Sequence, residues 1–238
     1  MPDPKQPTRY PGRIGDWVLY KTHQLIAFNK PGGMPVQPDK SGDLALTQIG
    51  AAYARTDLQA IHRLDRPVSG VVLLSKKTSA QTALTKQFKA EKIDKVYLAV
   101  VGEKPPKEAD TLVHHLLEAG HKVNKTAIVE SDTQGARIAE LSYRLLGSSD
   151  RYYLLEIRPR TGRKHQIRVQ LAAIGCPLRG DTKYGFKRGQ TGGLVDLHAW
   201  KLGFAHPVSG EEVHLVAPLP DRPVWKAMGK ILTEISKQ

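Results

Sequence analysis

The sequence predicts an α+β fold built on a mixed, mostly antiparallel sheet. Three observations carry that prediction. Strand-like segments come in groups, with few helices between them. The run Val71-Val72-Leu73-Leu74 is short and wholly apolar, as in a buried strand. The regular strand–helix alternation of a doubly wound sheet is missing.

The elements follow in order. Residues up to about Gly15 form a Pro-, Arg- and Lys-rich arm. Trp17 to Tyr20 and Leu25 to Phe28 read as strands, and Asn29-Lys30-Pro31-Gly32-Gly33 breaks the chain with turn formers. Asp43 to Arg55 is expected to be a helix with Leu46, Ile49 and Tyr53 on one stripe, although Gly50 argues against it. Thr78 to Glu91 is a second helix, capped by Thr78, with Ala80, Ala83, Leu84 and Phe88 inward. Strands follow at Lys95 to Val101, Ile128-Val129, Ile138 to Leu146 and Tyr152 to Ile157. The polar stretch Gly102–Asp110 reads as a hinge or long loop. Thr161 is expected to cap a helix from Gly162 to Ile174, ended by Gly175 and Pro177. A strand near Leu202-Gly203-Phe204 and a helix from about Val224 to Ser236 complete the chain.

A chain of 238 residues with 40% hydrophobic content can bury a real core. No apolar run approaches the roughly 18 residues of a membrane span, and the start of the chain lacks a signal-like apolar segment. The lone Cys176 cannot form an internal disulfide, which suits a reducing compartment. We therefore expect a cytoplasmic protein that makes no membrane contact. The 36 Lys and Arg exceed the 23 Asp and Glu, giving a formal charge of +13. Such an excess suits a polyanion, nucleic acid above all, or else a solvated basic surface.

Two segments carry chemistry. The first is His62-Arg63-Leu64-Asp65-Arg66-Pro67-Val68-Ser69-Gly70. It sets one carboxylate between two arginines, and nearby cations favour its charged form. Asp65 is either a loop acid capping a turn or a permanently ionised catalytic group. The second is Arg160-Thr161-Gly162-Arg163-Lys164-His165-Gln166-Ile167-Arg168-Val169. Its cations crowd a helix N-terminus, where they make either a phosphate cradle or a solvated basic turn. Tyr97, inside an apolar strand, is either a core tyrosine or an aromatic platform for a nucleobase. No Gly-rich nucleotide motif, zinc spacing or nucleophile elbow occurs, and His114-His115 is only an adjacent pair.

Together the HRLD and TGRKHQIR segments resemble the signature motifs of the RluA family of RNA pseudouridine synthases. The turn Asn29–Gly33, the strand Lys95–Ala99, Gly175 to Asp181, and Leu197 through His206-Pro207 extend the likeness over about residues 15–220. The resemblance implies a two-lobed catalytic domain over residues 1–238 with a basic active-site cleft; the N-terminal S4 domain of many relatives is not expected in a chain of this length. It implies a cofactor-free, metal-free monomer acting on an RNA stem-loop, of rRNA or tRNA. It maps the catalytic aspartate to Asp65, the strand tyrosine to Tyr97, and the cation paired with the aspartate to Arg168. Arg63 becomes the residue that extrudes the target base. His62, Arg66, Arg163, Lys164 and His165 join it as RNA-binding and base-flipping residues. Two departures, Val68 for a usual Thr and Gln170 for a common His, bear on loop hydrogen bonding and substrate choice.

The implied reaction detaches uracil from C1′, turns it, and rejoins it through C5. The base must first leave its stack, at a cost on the order of a few kcal/mol. Asp65 would act by attack at C1′, by attack at C6, or in a route that removes a sugar proton. Tyr97 would stack the base or serve as general base. A non-catalytic RNA binder and a basic hydrolase of nucleosides or phosphodiesters are the rival functions.

Overall fold

The computed structural model describes residues 10–119 and 125–235. Along the chain these form β1 (Val18–Lys21), β2 (Leu25–Lys30), α1 (Leu46–Ala54), β3 (Gln59–Ala60), β4 (Ser69–Ser75) and α2 (Thr78–Lys89). Then come β5 (Asp94–Val101), β6 (Ala109–Glu118), β7 (Thr126–Val129), β8 (Arg137–Ser148), β9 (Tyr153–Pro159) and α3 (Gln166–Ala173). The last elements are β10 (Leu197–Ala205), β11 (Glu212–Val216) and α4 (Pro223–Ile235). The fold is α+β with mostly antiparallel strands, as expected. The chain divides into two compact units, residues 1–94 with 199–218, and 95–198 with 219–238.

In the first unit the strands run in the order β1-β2-β4-β10, with β11 on β10 and β3 beside the end of β4. All seven residues of β4 are buried, which explains the unbroken apolar run in its sequence. Leu25, Ala27, Val71, Leu73, Phe204 and Leu215 form one core, and α2 lays Ala80 and Leu84 on it. Lys77, not Thr78, is the N-cap of α2, and Thr78 is its first helical residue. Helix α1 starts at Leu46 rather than near Asp43, because Gln48 reaches back to the amide of Ala45 and takes the capping role (2.9 Å). Gly50 lets the helix pack closely there: a Cβ would sit 2.9 Å from Leu58 and 3.2 Å from Phe28.

In the second unit the order is β5-β9-β8-β6-β7, antiparallel throughout. The stretch Gly102–Asp110, expected as a loop, already contains the start of β6 at Ala109. Helix α3 is shorter than its sequence suggests. Thr161 to His165 are not helical, because the Gln166 side chain accepts from the Arg163 amide (2.9 Å) and the Thr161 hydroxyl (2.8 Å). His165 takes a left-handed conformation as the N-cap. The other end matches expectation. The amides of Gly175 and Cys176 donate to the carbonyls of Ala172 and Leu171, and Gly175 has φ +77°. Helix α4 buries Trp225 and Met228. The Trp225 indole donates to the fully buried Asp196 (2.8 Å), which also pairs with Arg179 (2.6 Å) and Arg222.

Candidate active site

The Asp65 loop leads into β4 and is fastened from beneath. The Val68 amide donates to the Asp65 carbonyl (3.0 Å) and closes a turn around Arg66-Pro67. The Arg66 carbonyl accepts from the Gly33 amide (2.8 Å), and Arg66 Nε returns a bond to the Gly33 carbonyl (2.9 Å). The Arg66 guanidinium also pairs with Asp43, and it stands 4.0 Å from Asp39. Lys30, at the end of β2, is completely buried. Its ammonium donates to the carbonyls of Met34 (2.8 Å), Pro31 (3.0 Å) and Arg66 (3.3 Å). Burial pulls the Lys30 amine down to about 7, and the nearby Asp65 charge opposes that pull. Gly70, at φ +115°, lets the loop enter β4; a Cβ there would lie 2.2 Å from the Ala199 carbonyl oxygen.

The residues around Asp65 differ in what they face. Asp65 is half-buried and Arg63 is exposed. His62 turns inward: its Nε2 accepts from the Leu73 amide (3.0 Å) and its ring stacks on Phe88, 4.9 Å between centroids. An acceptor Nε2 requires the neutral ring. Val68, the first departure from the family pattern, is buried and apolar.

In the second unit, Tyr97 lies on β5 opposite Ile157 and is half-buried. The Arg160–Arg168 segment hangs from the main chain of β8. Glu140 accepts at its carbonyl from the amides of Arg160 (3.0 Å) and Thr161 (3.3 Å) and from Gln166 Nε2 (3.0 Å). Arg163 Nε donates to the Ile138 carbonyl (3.0 Å), and Lys164 is half-exposed. The expected crowding of cations within the first helical turn is thus relieved, since Arg163 and Lys164 precede α3. Arg168, inside the first turn, is buried and charge-matched by Asp181. Its Nε lies 2.7 Å and its Nη2 2.9 Å from the two carboxylate oxygens. The Tyr184 ring lies 5.2 Å from the guanidinium carbon of Arg168, and its hydroxyl is 2.8 Å from Nδ1 of the buried His165. Burial pushes the Tyr184 hydroxyl up from its ordinary range, so it stays neutral. Gln170, the second departure, is fully buried and donates to the Leu112 (3.1 Å) and Ala139 (3.2 Å) carbonyls, with His114 Nδ1 at 3.0 Å.

The first unit therefore holds His62, Arg63, Asp65 and Arg66 on one loop. The second holds Arg163, Lys164 and His165 on another, with Arg168 in the first turn of α3 and Tyr97 on its strand. Sequence reasoning passed over Lys30 and Asp181 as functional residues. Both stand inside stretches that carry the resemblance, and Lys30 is a fully buried cation at the end of a strand that opens with four apolar residues, which is the signal that marks it. Among the described residues no three His, Cys, Asp or Glu side chains gather to hold a metal ion, and no helix is long and apolar enough to cross a membrane.

The chain is similar to known RNA pseudouridine synthases. A family model described as RNA pseudouridylate synthase matches residues 24–173. A protein of Rickettsia prowazekii named ribosomal large subunit pseudouridine synthase C is 32% identical over 213 residues, covering 87% of this chain and 69% of that protein. A Chloroflexus aurantiacus protein named as an uncharacterized RNA pseudouridine synthase is 37% identical over 81% of this chain and 62% of its own length. Among solved structures, human RNA pseudouridylate synthase domain containing 4 superposes with a TM-score of 0.72 at 26% identity, covering 87% of this chain and 90% of that one.

Proposed function

Because the chain belongs to the RNA pseudouridylate synthase family, we propose that it isomerises specific uridines in ribosomal RNA, with Asp65 as the catalytic carboxylate. The enzyme class follows from the family: an isomerase that converts uridine to pseudouridine. Relatives named for the large ribosomal subunit favour a stem-loop of its rRNA over tRNA as substrate. The chain acts as one catalytic domain, as a monomer in the cytoplasm.

One observation carries the role of Asp65: this half-buried residue rides on a loop fixed from below by a buried lysine and by Arg66. Such fixing holds a reactive group in place before substrate arrives. The carboxylate meets the sugar–base junction of an extruded uridine. The N1–C1′ bond breaks, the uracil turns, and C5 bonds to C1′. The C5 proton passes to solvent and N1 gains one, so nothing is oxidised or reduced. Attack at C1′, attack at C6 and removal of a sugar proton all use the same carboxylate. Tyr97 stacks the uracil or takes the proton, and Arg168 supplies a cation to the reaction. Arg63, exposed beside Asp65, holds the base out of its stack. Arg163 and Lys164 meet phosphates, while His62, Arg66 and His165 contribute through the loops they brace.

An RNA labelled with tritium at uridine C5 tests this, because forming the C5–C1′ bond expels the label to water. The parent enzyme releases tritium from a large-subunit rRNA transcript. Asp65→Asn should release none while binding the RNA as before. Turnover near the parent's would remove Asp65 from the reaction. Pseudouridine maps of cellular RNA, with and without the gene, should lose sites in large-subunit rRNA. Losses confined to tRNA would move the substrate there.

A further inference from the structure

Arg168 and Asp181 form a buried, doubly hydrogen-bonded pair, 5% and 1% exposed. Asp181 takes the Nε and Nη2 protons of the guanidinium. Any further acceptor must be reached through the remaining Nη protons, so the pairing decides which edge of Arg168 serves the reaction. The aspartate is itself held firmly. Gly180, with φ +88°, brings the backbone so near Leu194 that a Cβ would lie 2.6 Å from its carbonyl oxygen. The Asp181 carbonyl accepts from the amides of Tyr184 (3.1 Å) and Phe186 (3.0 Å). Tyr184, one short turn later, covers the guanidinium with its ring. Its hydroxyl is fixed by the Thr126 amide (3.0 Å) and by His165. One face and one edge of the Arg168 guanidinium are thus defined by residues 180–186.

We infer that Asp181 is a positioning residue for the isomerisation: it orients Arg168 and acts on turnover only through that arginine. This rests on the assignment of Arg168 to the reaction. A guanidinium is planar and rigid, so fixing one edge fixes the direction of the other. An isolated arginine on a short helix would sample several rotamers, and small misplacements of a reacting group are costly.

The test uses the full chain, the C5-tritiated large-subunit rRNA transcript, and thermal melts of each variant. Asp181→Asn should lower saturated turnover by up to about 100-fold, with KM little changed. Asp181→Glu, which keeps the charge but shifts it by one methylene, should melt near the parent and still turn over slowly. Arg168→Gln should be slow as well. The double variant Arg168→Gln with Asp181→Asn should be no slower than Arg168→Gln alone, since residues acting as one unit are not additive. Its melting temperature should recover towards the parent's, because removing both charges leaves neither stranded. Turnover should not recover with it.

Four outcomes would overturn the inference. If Asp181→Asn and Asp181→Glu turn over like the parent while Arg168→Gln is slow, Arg168 keeps its role and Asp181 loses its own. If Asp181→Asn costs the same factor with or without Arg168, it acts by another route. If the double variant regains turnover along with stability, the pair serves folding alone. Parental turnover in Arg168→Gln would instead remove Arg168 from the reaction, and this inference with it.

Discussion

In the first unit the loop bearing Asp65 is held through main-chain carbonyls, those of Pro31, Met34 and Arg66 on Lys30, and that of Gly33 on Arg66. In the second, the segment before Arg168 hangs from the Glu140 and Ile138 carbonyls of β8 and is braced by the Gln166 side chain, while a side chain beyond it, the Asp181 carboxylate, holds Arg168 itself. The difference matches the charge each loop presents. A carboxylate on a loop gains from a buried lysine behind its backbone, which fixes the path of the loop that carries it. A guanidinium has direction, so it gains from side chains that hold one edge. The first loop should therefore fail when its backbone path changes, and the second when single side chains are lost.

Gly70→Ala should show the largest effect. Its φ of +115° and the near contact with the Ala199 carbonyl leave no room for a methyl group. The loss should be at least about 3 kcal/mol, read by denaturant unfolding. A parent-like midpoint would mean that the entry into β4 yields more easily than its geometry implies.

Lys30→Met comes next, keeping the length of the side chain and removing its donors. Turnover should fall between about 10- and 100-fold as the Asp65 loop loosens. The melt should carry a pH signature too. Between about pH 7 and the ordinary lysine range, the folded parent has lost a proton that its unfolded chain retains. Stability then rises with pH in that window. The parent's melting temperature, minus that of Lys30→Met, should therefore climb from pH 7 towards pH 10. A flat difference would mean that the buried amine does not titrate there.

Gln166→Ala should cost less, about 2–3 kcal/mol for the lost bonds to Arg163, Thr161 and Glu140. Its turnover should fall only modestly, because Asp181 still orients Arg168. A loss as deep as that of Lys30→Met would erase the distinction between the loops. Lys164→Ala should be mildest. Its saturated rate should hold, and the log–log salt slope of RNA binding should flatten by roughly 0.7, one single-strand phosphate contact. An unchanged slope would place Lys164 off the RNA.

The fold class and the acid loop were legible because their signals are local. An unbroken apolar run marks β4, and Pro67 and Gly70 mark the turn beside Asp65. The second loop was misread because Thr161 and Gly162 look like a helix start, while the competing interaction comes from Gln166 within the expected helix. Gly50 argued against α1 in sequence, yet its small size is what lets the helix approach Leu58 and Phe28. The amide of Ala45 finds its cap three residues ahead, at Gln48, so the helix starts later than the expected Asp43. The end of α3 was readable because Gly175 and Pro177 signal termination without tertiary help. The pairing of Arg168 with Asp181 spans thirteen residues and was not readable, because the short helix between Thr182 and Tyr184 sets the approach.

Trp225 has no exposed surface, and its indole is bonded to Asp196 within the second unit, whereas Trp17 and Trp200 belong to the first. These are the chain's three tryptophans. Replacing Trp17 and Trp200 by phenylalanine would leave a single native chromophore in the unit that contains Arg168. Its emission would move to longer wavelength only when that unit admits water, so the melting of one half of the enzyme becomes visible by fluorescence without a label.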